Sequence, residues 1–526
     1  MNQNAEFRAS SIEKEVYPGT MEEQEEALKN SAQLKAYREY RERQKDQRWN
    51  PGYHFYAPDG KINDPNGLCI WKGRYHLFYQ AYPPKENIPN YDRLHWGHAV
   101  SDDMVHWKDL PIAIYPDVEY ACWSGASLAE EDRVIAIYHG RWKGSMIATA
   151  SDPLLLNWEK EEANPVIPIL PNQDENGGRP YSMFDPCIWK DETGYYSLSG
   201  CLYGNLENRG KCHKNEMVEH LFHSQDLKHW TYMGELAPGG FPQIARGNDG
   251  GCPYFWPLGN RYMLLTFSHL TGAYATLGDL DPVTHRFTPD KTYKFNFGPL
   301  NCSSYQAPCA TPDGKGGLYV ILNTKDAYPF RALERFGAMS VMYHMTLHED
   351  GDIRIRPVEQ LDCLHGQMTA FERIELPAFQ EKVLPVEGNM LDIRMKVDLR
   401  KARTVRIRVL RSPGCEEYTD VHLFQPVGLK IPRPAVSIDT INSSRQEGIL
   451  GRIPETSEFD SEPDGKINLR ILIDKCMLEV FANDRVVLMQ MAYPTRDDST
   501  GISVTALGSD AVIEDAKIWQ MNGIYE

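Results

Sequence analysis

The chain has 526 residues, 41% of them hydrophobic and 11% aromatic, and this length predicts two domains rather than one core. The formal net charge of −17 argues against nucleic acid or an anionic membrane as a partner. No apolar run is long enough to span a bilayer, and the polar start MNQNAEFRASSIEKEV lacks the apolar segment of a secretory signal. The 11 cysteines are odd in number and form no CxxC pair, so we expect free thiols in a cytoplasmic protein that handles a neutral ligand.

Residues 1–49 are predicted to form a helical extension. The stretch 21–48 is rich in helix formers but has only a thin apolar stripe, made of Leu28, Leu34, Tyr37 and Tyr40. A charge-rich helix of this kind is usually solvated on most faces. We therefore expect a helix that lies on the main body, with partner binding as the alternative.

From about residue 50 to residue 362, short β-rich runs alternate with turn residues, and two internal repeats appear. The first pairs NDPNGLCIWKGRYHLFYQ (63–80) with FDPCIWKDETGYYSLSG (184–200), and GCPYFWPLGNRYMLLTFSH (251–269) has the same layout. The second, Ser-x-Asp-φ-x-x-Trp, occurs at 101–107 and 224–230, with a looser copy at 151–158. Repeating antiparallel units of this length predict the blades of a β-propeller, with each repeat Trp packed between strands.

The propeller pattern ends around residues 360–372. From 373 to 526, runs such as INLRILID and VVLMQMAYP alternate apolar and polar residues between turns, which predicts a β-sandwich. No candidate catalytic constellation stands out in this second domain.

Asp64 and Asp185 occupy matching positions in two of the repeats. Because the first strand of each blade lines the central channel, we expect their carboxylates to meet near its axis. Convergent acids suit general acid–base or nucleophilic work at a glycosidic bond, although Asp-Pro pairs also simply begin turns. A sugar site is favoured by the nearby aromatic residues, part of which must be core: Trp71, Tyr79, Trp96, Trp123, Phe255 and Trp256.

Several motifs in register resemble those of glycoside hydrolase family 32. They are INDPNG (62–67), FYQ (78–80), HWGHAVSDDMVHW (95–107), WSGAS (123–127), MFDP (183–186) and, in the sandwich, LEVFAND (478–484). The match covers about residues 50–520 in order. The family contains invertases, fructanases and fructosyltransferases, so the resemblance implies a five-bladed propeller followed by a β-sandwich. It also implies a retaining mechanism on β-fructofuranosides, and we expect no metal or cofactor.

The resemblance also implies roles for individual residues. Asp64 is similar to the family's nucleophile, and Asp185 is similar to the transition-state stabiliser that holds hydroxyls of the furanose ring. The positions that resemble sugar-binding residues are Asn63, Gln80, Trp96, Trp123 and Ser124.

Two positions depart from the family pattern. Phe184 stands where an Arg usually precedes the stabiliser, and Gly251 stands where a Glu acts as general acid. The apolar ring of Phe184 leaves substrate hydroxyls unpaired, which predicts poor activity on sucrose and a preference for a sugar that lacks, masks or reorients a hydroxyl there. Loss of a general acid typically costs about 10²–10⁴-fold in rate.

Three explanations for the missing acid remain open. Asp249 could supply the proton, since it lies two residues before Gly251 on one face of a regular strand, although its Asn-Asp-Gly-Gly setting also suits a turn cap. The polar insertion 201–220 could supply it instead from Glu207, Glu216 or Glu219. Otherwise the chain is a catalytically weak sugar-binding homologue. A fructosyl transferase is a further alternative, because the acceptor cannot be read from these motifs.

Overall fold

The computed structural model describes residues 10–83, 93–170, 181, 183–200, 217–245, 247–297, 303–327, 333–427, 430 and 432–525. Two short helices precede a propeller of five sheets, which is followed by a sandwich of two six-stranded sheets. This confirms the predicted all-β architecture. Across the described ranges, the structure contains no helix with the length and apolar character needed to cross a membrane.

The N-terminal extension carries two helices where the sequence predicts one. They are α1 (Met21–Lys29) and α2 (Ala32–Gln44). The break occurs because the Ser31 side chain accepts the Leu34 N–H and caps the start of α2. The apolar stripe of α2 is buried, and Arg41 pairs with both carboxylate oxygens of Asp109 at 2.6 and 2.8 Å. The extension is thereby fastened to the first blade.

Each blade is an antiparallel sheet whose strands run outwards in chain order, with β9 and β20 as short additions. Blade 1 contains β1 (Ile62–Trp71), β2 (Arg74–Ala81), β3 (His95–Ser101) and β4 (Lys108–Ile114). Blade 2 contains β5 (Cys122–Ala129), β6 (Val134–Gly140), β7 (Gly144–Ala150), β8 (Glu159–Lys160) and β9 (Ile167–Pro168). Blade 3 contains β10 (Pro186–Asp191), β11 (Gly194–Ser199), β12 (His220–Ser224) and β13 (Thr231–Glu235). Blade 4 contains β14 (Gly251–Leu258), β15 (Arg261–Ser268), β16 (Gly272–Leu280) and β17 (Phe287–Lys294). Blade 5 contains β18 (Tyr305–Pro312), β19 (Leu318–Thr324), β20 (Ala338–Met339), β21 (Tyr343–Leu347) and β22 (Ile353–Pro357).

Both sequence repeats occupy equivalent places in the blades. The first repeat forms the inner hairpin of blades 1, 3 and 4. The second forms the turn before an outer strand, where Ser101 and Asp103 accept backbone N–H groups of their own turn, and Ser224 and Asp226 do the same in blade 3. Trp107 and Trp158, which end two of the copies, are buried as predicted, whereas Trp230 is only half-buried.

A 3₁₀ helix (Glu359–Leu364) leads into the sandwich. Its strands are β23 (His365–Leu376), β24 (Lys382–Glu387), β25 (Met390–Asp398), β26 (Thr404–Arg411), β27 (Thr419–Val427), β28 (Arg433–Asp439), β29 (Glu455–Glu458), β30 (Ile467–Asp474), β31 (Met477–Ala482), β32 (Val486–Met491), β33 (Gly501–Leu507) and β34 (Ala511–Met521). The two sheet orders are β23-β34-β25-β30-β31-β32 and β24-β33-β26-β27-β28-β29. The first strand begins before the predicted residue 373, because β23 pairs with β34 along its polar, exposed first half as well.

Candidate active site

The candidate active site lies where the inner strands of blades 1 to 4 begin. Strands β1, β5 and β14 each have a break in pairing near the first residue. Such a bulge bends the strand and re-aims its side chains. The residues within these breaks are Asn63, Asp64, Trp123, Ser124, Cys252 and Pro253. Asp185 directly precedes β10, so four blades supply residues to one end of the channel.

Asp64 and Asp185 converge on one thiol. The Cys252 Sγ lies 3.6 Å from Asp64 Oδ2 and 3.5 Å from Asp185 Oδ2, and the Cys252 N–H donates to Asp185 Oδ2 at 3.3 Å. Burial, followed by the two carboxylates, raises the pKa of Cys252, which keeps it a thiol that can donate. Asp185 and Cys252 adopt φ values of 41° and 46°, a left-handed backbone that is uncommon outside glycine and is concentrated at functional sites.

A chain of hydrogen bonds fixes the carboxylate of Asp64. Ser124 Oγ donates to Asp64 Oδ2 at 2.6 Å, Gln80 Nε2 donates to Ser124 Oγ at 2.6 Å, and Asn63 Nδ2 donates to Gln80 Oε1 at 2.7 Å. Burial raises the pKa of Asp64 and Asp185 adds to the rise, whereas the bond from Ser124 lowers it. The structure thus places four of the predicted site residues in one network.

Aromatic rings form a wall beside the acids. Phe184 is 7% exposed, and its ring centroid lies 6.2 Å from Trp123, 5.5 Å from His139 and 6.0 Å from His269. The two histidines were not singled out from the sequence, since nothing in their local pattern marks them. Trp96 is predicted to bind sugar, but its ring is fully buried, and its indole N–H donates to the Trp123 carbonyl at 2.8 Å. Trp96 therefore lies behind the aromatic wall and holds the Trp123 backbone through this hydrogen bond.

Position 251 faces the acids, as the repeat predicts. A Cβ on Gly251 would lie 3.4 Å from Asp185 Oδ2, so a carboxylate at this position would reach the cluster. The same Cβ would lie 3.1 Å from Phe184 Cε1, a close contact. The two departures from the family pattern are therefore neighbours in space.

Asp249 has its own partner. Its Oδ1 accepts the His269 backbone N–H at 2.7 Å, its Oδ2 lies 2.7 Å from His269 Nδ1, and the residue is 1% exposed. Both carboxylate oxygens are thus engaged with one residue across the hairpin. This geometry favours the turn-cap interpretation over the predicted role as the acid.

The remaining candidates from the insertion divide into two groups. Glu207 and Glu216 lie outside the described residues. Glu219 is described, and it is buried beside Gly250.

Two sets of side chains in the described ranges have atoms close enough to share a metal ion. They are Asp103, His106 and Cys363, and Asp362, His365 and Asp392. Neither set includes a residue of the acid cluster. Asp392 is already paired with Arg394 and Arg470, both at 2.8 Å, so an ion would compete with two guanidinium groups.

Comparison with known proteins shows which family the chain belongs to. The model of the glycosyl hydrolases family 32 N-terminal domain matches residues 54–306, and that of the family 32 C terminal matches residues 361–520. The insoluble isoenzyme 1 of beta-fructofuranosidase from Oryza sativa subsp. japonica is 28% identical, over 89% of this chain and 90% of that protein. Sucrose-6-phosphate hydrolase from Zymomonas mobilis is 24% identical, over 90% of this chain and 92% of that protein.

Among solved structures, fructan 1-exohydrolase IIa from Cichorium intybus superposes with a TM-score of 0.78 at 20% identity, over 91% of this chain and 98% of that chain. A single-residue variant of that enzyme has been solved in complex with 1-kestose. The superposition supports the propeller–sandwich fold. Since the two family models together cover most of the sequence, the chain belongs to glycosyl hydrolase family 32, a family of glycosidases.

Proposed function

We propose that the protein hydrolyses a β-fructofuranoside or a related furanoside by a retaining, two-step mechanism. The observation that carries this proposal is the convergence of Asp64 and Asp185 on Cys252 at the channel mouth. The Asp64 carboxylate attacks the anomeric carbon, and the glycosidic bond breaks to leave a covalent glycosyl-enzyme. The leaving oxygen takes up a proton in this first step; in the second step water attacks the same carbon, gives up a proton and releases Asp64. Ser124 orients the nucleophile through its 2.6 Å hydrogen bond.

The substrate is proposed to differ from sucrose at one hydroxyl. Phe184 presents an apolar ring beside Asp185, and its close neighbours are the rings of Trp123, His139 and His269. A hydroxyl pressed against the Phe184 ring without a partner would lose about 1–3 kcal/mol of binding free energy. We therefore expect kcat/KM on sucrose to lie well below that on a fructoside whose matching hydroxyl is absent, masked or reoriented.

A reducing compartment, the cytoplasm, is proposed for this activity. The support is that the eight cysteines in the described ranges are free thiols, most of them buried. Fractionation of the source cells tests this: the protein is expected among the cytoplasmic contents, and recovery outside the cell would contradict the proposal.

The proposed function is tested with the variant Asp64→Asn. Wild-type protein is assayed on sucrose, sucrose 6-phosphate, 1-kestose, levan and p-nitrophenyl β-fructofuranoside, and the products are analysed. Asp64→Asn is expected to lower kcat by orders of magnitude because the amide cannot form the glycosyl-enzyme. Asp132→Asn, on an exposed turn of blade 2, is the matched control and is expected to retain wild-type rates.

Two results would contradict the proposal. One is that Asp64→Asn keeps more than about a tenth of the wild-type rate, since removal of a nucleophile costs orders of magnitude. The other is that wild-type protein binds sugars but turns none of them over, which would support the sugar-binding alternative.

A further inference from the structure

Glu219 is a buried carboxyl group that lies against Gly250, the residue directly before the position of the missing acid. It directly precedes β12, and its backbone carbonyl accepts the Leu236 N–H at 2.8 Å. The residue is 1% exposed, and a Cβ on Gly250 would overlap its Oε1 atom. Within the described part of the chain, neither carboxyl oxygen has a hydrogen-bond partner. A buried polar group without a partner is uncommon and calls for an explanation.

Three glycines lie where blades 3 and 4 meet beside this carboxyl group. Gly200 directly follows the second strand of blade 3, and its N–H donates to the Phe184 carbonyl at 2.8 Å, level with the acid cluster. A Cβ on Gly200 would overlap the Gly250 carbonyl oxygen, and Gly251 follows directly. We call Gly200, Gly250 and Gly251 the glycine notch. Gly200 lets blade 3 approach the Gly250 backbone, Gly250 leaves room for the Glu219 carboxyl just before β14, and Gly251 leaves open the space beside Asp185.

The surroundings of Glu219 keep it protonated. Burial raises its pKa well above the ordinary range, and the negative charges of Asp185 and Asp249 raise it further. The Cys187 thiol, on the strand that follows Asp185, also lies near this carboxyl. A carboxyl group held neutral in this way can donate a proton, as a glycosidase requires of its acid.

We propose that Glu219 is the proton donor of this enzyme and replaces, from a different blade, the acid absent at Gly251. The proposal rests on the proposed function. In the first step Asp64 bonds to the anomeric carbon, and the Glu219 proton passes to the glycosidic oxygen as the carbon–oxygen bond breaks. In the second step the Glu219 carboxylate takes a proton from water, whose oxygen bonds to the anomeric carbon and frees Asp64. Glu219 ends protonated, as it began.

The test compares substrates that differ in their need for protonation. Glu219→Gln is expected to lower kcat/KM on 1-kestose, or on the best natural fructoside found, by about 10²–10⁴-fold. On p-nitrophenyl β-fructofuranoside, whose leaving group needs no proton, kcat/KM is expected to change less than tenfold. Glu192→Gln, exposed on the first hairpin of the same blade, is the matched control.

A second variant separates proton donation from a structural role. In Glu219→Ala, azide is expected to restore turnover of the aryl fructoside and to yield fructosyl azide, because azide attacks the glycosyl-enzyme without needing a base. In the wild type, kcat/KM is expected to fall at alkaline pH as Glu219 loses its proton. In Glu219→Gln this alkaline fall is expected to disappear. A merely structural carboxyl would give neither effect.

Three outcomes would overturn the proposal: equal losses on both substrate classes, wild-type rates in Glu219→Gln, or the selective loss appearing in Asp249→Asn instead. These are distinct from failure of the proposed function, in which wild-type protein hydrolyses no fructoside or Asp64→Asn remains active. If Glu219→Gln does not fold, the formation of fructosyl azide by Glu219→Ala tests the proposal instead. Absence of this product would count against Glu219 as the proton donor.

Discussion

At the residue scale, the two departures from the family pattern form one contact. The Phe184 ring lies in close contact with the place of a side chain at position 251, since its Cε1 atom would be 3.1 Å from the Cβ. A Glu at 251 therefore cannot enter without displacing this ring, and overpacking of this kind costs about 1–3 kcal/mol. The Phe at 184 and the Gly at 251 are thus physically coupled.

This coupling predicts non-additive rescue on sucrose. Gly251→Glu alone is expected to gain little, because Phe184 holds the space, and Phe184→Arg alone restores a hydroxyl partner without the ordinary acid. The double variant is expected to exceed the product of the two single effects by at least about tenfold in kcat/KM, which corresponds to a coupling of about 1.4 kcal/mol. Gly239→Glu, where a Cβ meets no atom within 4 Å, serves as control. Additive effects would contradict the coupling.

At the element scale, the glycine notch sets how closely blades 3 and 4 approach. An Ala at Gly250 would overlap the Glu219 carboxyl, so Gly250→Ala is expected to lower the free energy of unfolding by about 1–3 kcal/mol and to reduce activity on unactivated fructosides. Gly239→Ala has open space around its Cβ and is expected to change stability by less than about 0.5 kcal/mol. Denaturant unfolding of the two variants provides the measurement. Equal stabilities would show that Glu219 does not fill the notch.

At the scale of the whole molecule, a buried polar network joins the propeller to the sandwich. His54 Nδ1 lies 2.8 Å from Asp474 Oδ2, and His54 Nε2 lies 3.6 Å from Glu479 Oε1. From blade 5, the hydroxyl groups of Tyr305 and Tyr343 donate to Glu479 at 2.8 Å each. Burial alone lowers the pKa of His54, but Asp474 and Glu479 outweigh it and raise the pKa from 6.5 to about 9.

This network predicts a loss of stability in alkali. Because the folded-state pKa of His54 lies above its unfolded value of 6.5, its contribution is fully present below pH 6.5 and is lost as the pH rises through about 9. The shift corresponds to at most about 3 kcal/mol. Unfolding midpoints measured between pH 6 and 10 are expected to fall in the wild type and to fall less in His54→Gln. Parallel curves for the two proteins would contradict this role.

The family, the blades and the acids of the two Asp-Pro motifs could be predicted from the sequence because each rests on local patterning. An inner hairpin needs its turn and its alternating apolar residues within about twenty positions, so a repeat in the chain becomes a repeat in space. The matching places of Asp64 and Asp185 follow from this regularity. The chain alone therefore determined the architecture and the residue types at the channel mouth.

Only the tertiary structure decided which side chains meet there. Trp96 proved fully buried, Asp249 is engaged with His269, and Glu219 from a third strand reaches the start of β14 in the next blade. These contacts depend on the distance between neighbouring blades and on the positions of three glycines, which have no side chains. The physical reason is that local patterns specify strands and turns, whereas burial and the distance between blades arise only when the whole propeller closes.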